Sequence, residues 1–216
     1  MSTAARDHRT AGGPGADGGA GDGEIAAVGH ADLTADTLAL VEAAFRERLE
    51  QLGRLEGPVE RGRPATVRCG AGMPLAFGRA ARASGRRLVV VIPTRDGVPA
   101  MPPRHDRMAA GELLNLAEQA RLLPYDPNHR DSCVGADERM IAASGLLLAV
   151  WDGTPSNGRD ATAHLVTYAR ARGIPVEIVW PAGAERGSGA APPAVPAGPL
   201  AGEPAGPPAL RYGTPR

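Results

Sequence analysis

Leu146-Leu147-Leu148-Ala149-Val150-Trp151 is an unbroken apolar run, followed at once by Asp152-Gly153. A polar loop then reaches Asp160-Ala161-Thr162, a helical pattern continues to Arg172, and Gly173-Ile174-Pro175-Val176-Glu177-Ile178-Val179-Trp180 closes the stretch. An apolar run, a turn, an amphipathic helix and a second apolar run define a strand–helix–strand unit. The first run lacks polar alternation, so both of its faces are expected to be buried, as in a parallel sheet. Such crossovers are almost always right-handed. Ligands of open parallel sheets bind beyond the carboxyl ends of the strands, and Asp152-Gly153 with the loop to Thr162 lies at such an end.

Working outward, the same alternation recurs. Glu24-Ile25-Ala26-Ala27-Val28 reads as a first strand with the exit loop Gly29-His30-Ala31-Asp32. Thr34 is a suitable N-cap, Asp36 suits the positive end of the helix dipole, and Leu33 with Leu38 fits a hydrophobic staple. Leu38, Val41, Phe45, Leu49 and Leu52 form one apolar stripe of that helix, and Gly53 to Pro64 reads as a loop. Ala65-Thr66-Val67-Arg68-Cys69 is the second strand, with Gly70-Ala71-Gly72 after it and a helix over 74–84, Pro74 opening it and Gly85 ending it. Strand, Gly-x-Gly and helix can cradle a phosphate, since glycines admit close backbone approach and a helix N-terminus favours an anion; a tight turn is the plainer reading. Leu88 to Pro93 is a third strand and 94–106 a Pro-rich loop. Arg107 to Leu122 is expected to be a helix, Pro124 to Cys133 a polar lid or binding loop, and Asp137 to Ser144 a short helix. The expected fold is α/β: a Rossmann-like three-layer sandwich with a five-stranded parallel sheet in the order 3-2-1-4-5. The loops at 29–30, 70–72 and 152–162 then open onto one crevice. Residues 1–23 and 182–216, rich in Gly, Pro and Ala, are expected to be disordered tails dispensable for folding of the 24–181 domain.

Composition narrows the chemistry. All 24 basic residues counted as Lys or Arg are arginine. That excludes a Walker-type lysine, a lysine Schiff base and lysine-attached pyridoxal phosphate. Any anion must therefore be held by arginine, backbone N–H groups or a helix N-terminus; Arg79, Arg130, Arg139 and Arg159 are the candidates near the crevice in sequence. The formal net charge of zero and an aromatic content of 3% disfavour nucleic acid. There is no apolar run long enough to span a bilayer and no signal-peptide core at the N-terminus, so a cytoplasmic protein without a membrane partner is expected. Cys69 and Cys133 are expected to be free thiols, with no metal site and no cofactor. A homodimer is left open.

Val28-Gly29-His30-Ala31-Asp32-Leu33-Thr34, Ala149-Val150-Trp151-Asp152-Gly153, Ala161-Thr162-Ala163 and Val179-Trp180-Pro181 resemble the SLOG superfamily. That group includes LOG-type phosphoribohydrolases and DprA-like proteins and is similar to nucleoside 2-deoxyribosyltransferases. The resemblance covers Ile25 to Pro181 and implies a nucleotide-derived ligand in the crevice; some members cleave an N-glycosidic bond and others only bind. LOG enzymes carry Pro-Gly-Gly-x-Gly-Thr-x-x-Glu. With Thr162 at the threonine, the glutamate position is Leu165. Close relatives often read Gly-Gly-Thr-Ala-Asp, where this chain has Asp160 and Ala161 for the glycines and His164 for the acid. Leucine has no acid–base capacity, and histidine does not stabilise an oxocarbenium-like sugar as a carboxylate does.

The leading expectation is therefore binding of a nucleotide or nucleoside-like small molecule by Gly29, His30, Gly70, Ala71, Gly72, Asp152, Gly153, Arg130 and Thr162. The alternative is an N-glycosidase or deoxyribosyltransferase with a relocated acid, drawn from Asp152, Asp137, Glu138 or Asp160, and with His30 or His164 shuttling protons. Asp152, Glu138 and His164 are the foremost catalytic candidates of that reading. A scaffold that recruits partners through its proline-rich tail is the weakest expectation.

Overall fold

The computed structural model describes residues 23–56 and 62–187. The expected tails lie outside those residues, except Gly23 and residues 182–187. The elements run β1 (Glu24–Gly29), α1 (Ala35–Glu56), β2 (Ala65–Arg68), α2 (Met73–Ala83), β3 (Leu88–Arg95), β4 (Val98–Pro99), a single 3-10 turn (Arg104–Asp106), α3 (Arg107–Leu116), β5 (Gln119–Pro124), α4 (Arg130–Ala142), β6 (Ser144–Val150), α5 (Thr162–Ala171) and β7 (Val176–Ile178). They form an α/β fold around one open, mostly parallel, seven-stranded sheet. β3, β2, β1, β6 and β7 lie side by side in parallel.

The sheet separates two cores, and the strands supply alternate residues to each. Ile25 and Ala27 of β1 join Leu146, Leu148 and Val150 of β6 on one face. There they pack under Val41, Phe45 and Leu49 of α1, Phe77 and Ala80 of α2, and Leu113 of α3. Ala26 and Val28, with Leu147 and Ala149, face Met140 and Ile141 of α4 and Leu165, Val166 and Ala169 of α5. Burial on both faces is what an unalternated apolar run requires. α1 and α2 lock through Phe45 and Phe77, whose rings meet edge to face with centroids 5.0 Å apart. Thr34 Oγ1 accepts the Thr37 N–H at 3.1 Å, capping α1 as its sequence predicts. Among the described residues no helix is long and apolar enough to cross a membrane.

Three expectations need correction. The sheet has seven strands, not five. The helix expected over 107–122 stops at Leu116: Ala117 is extended (φ −70°, ψ 139°), and Gln119–Pro124 becomes β5, parallel to β3 from Val89 to Thr94. Leu122 and Leu123 continue an apolar pattern that helix and strand share, and pairing with the open edge of β3 selects the strand. Thr94 pairs with both Pro99 and Pro124, so β4 and β5 occupy opposite edges of β3. Finally, the polar stretch expected as a loop to Cys133 turns helical at Arg130. α4 buries only Ala136, Asp137, Met140 and Ile141, a face too narrow to register as periodicity.

Gly29 closes the β1–β6 pairing at the carboxyl end of both strands, opposite Val150. A Cβ there would lie 2.6 Å from Val150 Cβ and 3.0 Å from its carbonyl oxygen. Gly29→Ala is therefore expected to cost about 1–3 kcal/mol by overpacking, read as a lowered urea midpoint.

Residues 182–187 fold back onto the start of α1. Arg186 bridges Leu33 in antiparallel fashion, Thr37 Oγ1 donates to the Glu185 carbonyl at 2.9 Å, and the Gly187 N–H reaches the Asp32 carbonyl. The strap places a guanidinium at the end of β1.

Candidate functional site

A crevice opens beyond the carboxyl ends of β1 and β2. It has two adjoining lobes, of about 320 Å³ and about 160 Å³, which share Gly29, Ala31, Arg68, Asp137 and Leu165. The larger lobe is walled by Gly70, Ala71, Gly72, His105 and Asp106; the smaller by Arg130, Arg159, Asp160, Ala161 and Thr162.

In the larger lobe Gly72 takes φ +69° to enter α2, a conformation natural to glycine. The expected phosphate cradle already holds a carboxylate: Asp106 Oδ1 accepts the Ala71 N–H at 3.2 Å. The smaller lobe is the more electropositive. Arg130 donates to the carbonyl of Asn157 at 3.1 Å and pairs with Asp131 at its exposed edge. The Arg159 side chain has no partner among the described residues. Both sit by the N-terminus of α5, whose Thr162 and His164 N–H groups are taken by Asp160 and Ser156, so the arginines carry the positive charge of this lobe.

Beneath the crevice lies a buried ionic cluster. His30 has no exposed surface. Its Nδ1 hydrogen-bonds Asp160, its Nε2 lies 2.9 Å from Asp152 Oδ1, and the Trp180 ring meets it edge-on at 5.8 Å. Asp160 also accepts the N–H and hydroxyl of Thr162, at 2.8 and 2.7 Å. Asp152 accepts the N–H and hydroxyl of Thr154, at 2.9 and 2.6 Å. Arg186 from the strap grips Asp32 bidentately at 2.9 and 3.0 Å and approaches Asp160 to 3.5 Å and Asp152 to 3.7 Å. Burial opposes charge on His30, but the hydrogen bonds and charges of Asp160 and Asp152 outweigh it and hold the imidazole above its usual pKa. Burial likewise works against ionised Asp160 and Asp152, and the donors from His30, Thr162 and Thr154 overcome it, lowering both.

The expected site residues thus divide. Gly29, Gly70, Ala71, Gly72, Arg130 and Thr162 meet in the crevice. His30 lines the larger lobe from below and, with Asp152, joins Asp160 in the cluster that supports the crevice. Asp152 and Gly153 line neither lobe; Gly153 makes the turn after β6 at φ +89°. Glu138 and His164 pair with each other at 2.7 Å in a hollow between α4 and α5 that adjoins the smaller lobe across Arg130, Val134 and Ala161 but is lined by neither of its floor residues Arg68 and Asp137. Arg79 is bound to Glu112, and Arg139 to the carbonyls of Pro124 and Gly135; neither lines the crevice. Arg68, Asp106 and Arg186 are additions. Arg68 looked like a strand residue and Arg186 stands in a Pro/Gly-rich stretch, so neither had a local signal. Cys69 and Cys133 are free; burial pushes the Cys69 thiol up to about 11 and raises Cys133, leaving both as poor nucleophiles.

No protein family matches the chain, and neither does any curated protein. Among solved structures, an uncharacterized protein from Agrobacterium tumefaciens C58 is similar over 74% of this chain at 13% identity, with a TM-score of 0.21. The chain spans 64% of that protein's length.

The strap makes a truncation informative. A chain ending at Pro181 loses Arg186 and leaves Asp32, Asp152 and Asp160 short of a cation. It is expected to melt several degrees below a chain ending at Gly187, corresponding to about 1–3 kcal/mol for lost charged hydrogen bonds. Equal melting curves for the two chains would show that the strap contributes nothing.

Proposed function

We propose that this chain is a SLOG-like, Rossmann-like nucleotide-binding protein whose crevice takes a phosphate-bearing, nucleotide-derived small molecule. The phosphate occupies the smaller lobe and the rest of the ligand the larger one. The observation that carries this reading is the pair Arg130 and Arg159, the latter without a partner, at the N-terminus of α5 beside a second lobe of about 320 Å³. Guanidinium forks and a helix N-terminus are the means left to a chain without lysine. The larger lobe is at the small end of the range for ligand sites.

Binding is favoured over cleavage of the base–sugar bond. Leu165, where the LOG pattern carries its glutamate, lines both lobes, and the foremost candidate acids Asp152 and Glu138 are held by other partners. Calorimetry with a panel of nucleoside monophosphates is expected to show binding that weakens with salt. Arg159→Gln is expected to lower affinity about ten-fold, as loss of one charge-assisted contact does. Affinity indifferent to salt and to replacement of both arginines would rule the reading out. Chromatography is expected to find no released base; release above background that disappears in Asp137→Asn would establish a glycosidase instead.

A further inference from the structure

The junction of the two lobes has a feature that phosphate binding leaves unused. Arg68 and Asp137 both line each lobe, so they lie where the lobes meet. Arg68, at the end of β2, donates from Nε to Asp137 Oδ1 at 2.8 Å. Asp137, on α4, is only 8% exposed. The two Nη groups of Arg68 and the second carboxylate oxygen of Asp137 have no hydrogen-bond partner among the described residues. No buried side-chain polar atom among those residues lacks a partner, so these free groups reach the crevice surface.

The pair therefore offers unmet donors and an unmet acceptor side by side. A second phosphate would be repelled by Asp137, and an ammonium group by Arg68. A hydroxyl suits both, because it donates and accepts at once. Next to a phosphate lobe, the hydroxyl-bearing part of a nucleotide is its sugar.

Resting on the binding reading above, we infer that Arg68 and Asp137 form a sugar-hydroxyl reader that makes the crevice selective for ribonucleotides over deoxyribonucleotides. Asp137 accepts from a ribose hydroxyl and an Arg68 Nη group donates to it. The deoxy analogue leaves both groups desolvated and unpaired. Such a site rejects the analogue far more strongly than an apolar pocket rejects a missing methylene.

The test is calorimetric titration of the full chain with ribonucleoside monophosphates of the four common bases, their 2′-deoxy and 3′-deoxy counterparts, and inorganic phosphate. At least one ribonucleotide is expected to bind ten-fold or more tighter than one of its deoxy counterparts. Asp137→Asn is expected to weaken that ribonucleotide about ten-fold without weakening inorganic phosphate, whose repulsion by the carboxylate it removes, so that discrimination falls away. Equal affinity for ribo and both deoxy forms in the wild-type chain overturns the inference while leaving the phosphate site standing. Discrimination that survives intact in Asp137→Asn also overturns it. Absence of any nucleotide binding removes both the inference and the reading beneath it. Should Asp137→Asn not fold, the wild-type comparison of sugars still decides.

Discussion

His30→Ala is expected to destabilise the protein by about 3–5 kcal/mol, the cost of removing one partner from a buried ionic set. The side chain is fully buried and both ring nitrogens are engaged, by Asp160 and Asp152. Alanine leaves those carboxylates facing a void, with Arg186 as the nearest remaining cation. The loss should depend on pH in a defined way. His30 has a raised folded-state pKa, so its contribution is complete below the unfolded value near 6.5 and is lost as pH rises through the folded value. Asp160 and Asp152 have lowered pKa values, so their contribution is present above about 3.8 and is lost as pH falls through the folded values. The cluster thus stabilises most between those limits. Urea denaturation across a pH series should show an alkaline limb in the wild-type chain that flattens in His30→Ala. An unchanged limb would mean that His30 folds neutral and acts only as a donor to Asp160.

Arg86→Met is expected to cost a similar amount, about 3–5 kcal/mol. Arg86 is 3% exposed, yet it donates to the Leu49 carbonyl at 3.3 and 3.1 Å, the Arg63 carbonyl at 2.9 Å and Glu56 at 2.9 Å. One guanidinium therefore joins α1 to the chain entering β2. Methionine of similar length fills the space but takes the buried donors from the Leu49 and Arg63 carbonyls and leaves Glu56 to Arg63 alone. Arg86→Lys is not expected to recover the loss, because a single ammonium cannot reproduce the planar fork that spans these acceptors. Arg48, paired with Glu177 at 30% and 35% exposure, provides the contrast: Arg48→Gln should cost no more than about 1 kcal/mol. Equal losses at the two arginines would refute burial as the cause.

What could be read from the chain follows from how far apart the interacting residues stand. β1, β2, β3 and β6 were legible because each is a local apolar run, and α1 because its stripe and its Thr34 cap are local signals. β5 was not, since its identity depends on the edge of β3 rather than on Gln119–Pro124 itself. Only the second half of α4 was legible, as a short helix from Asp137; its first turns were hidden by their polar residues, and helical capping geometry around His129 left no distinctive sequence mark. The crevice was legible as a convergence of strand-end loops. Its inner chemistry was not: a histidine next to Gly29 looks the same whether it faces a ligand or two aspartates. Asp160 looked like a degenerate glycine of a phosphate loop, yet its carboxylate fastens His30 and the start of α5. Arg186 looked like part of a featureless tail because its partner, Asp32, is 154 positions away.

That separation also sets an order of events during synthesis. β1 emerges from the ribosome early, but its neighbour β6 follows more than a hundred residues later. Until then β1 is an unpaired edge of a half-sheet, with the imidazole of His30 buried against nothing that can share its proton. The contact from Arg186 to Asp32 cannot close until residue 186 has emerged. Long-range closures of this kind fold slowly and leave strand edges open to other chains. A nascent chain stalled before Arg186 should therefore be more protease-sensitive at β1 and α1 than the finished protein, and a translation pause ahead of β6 should favour aggregation over folding.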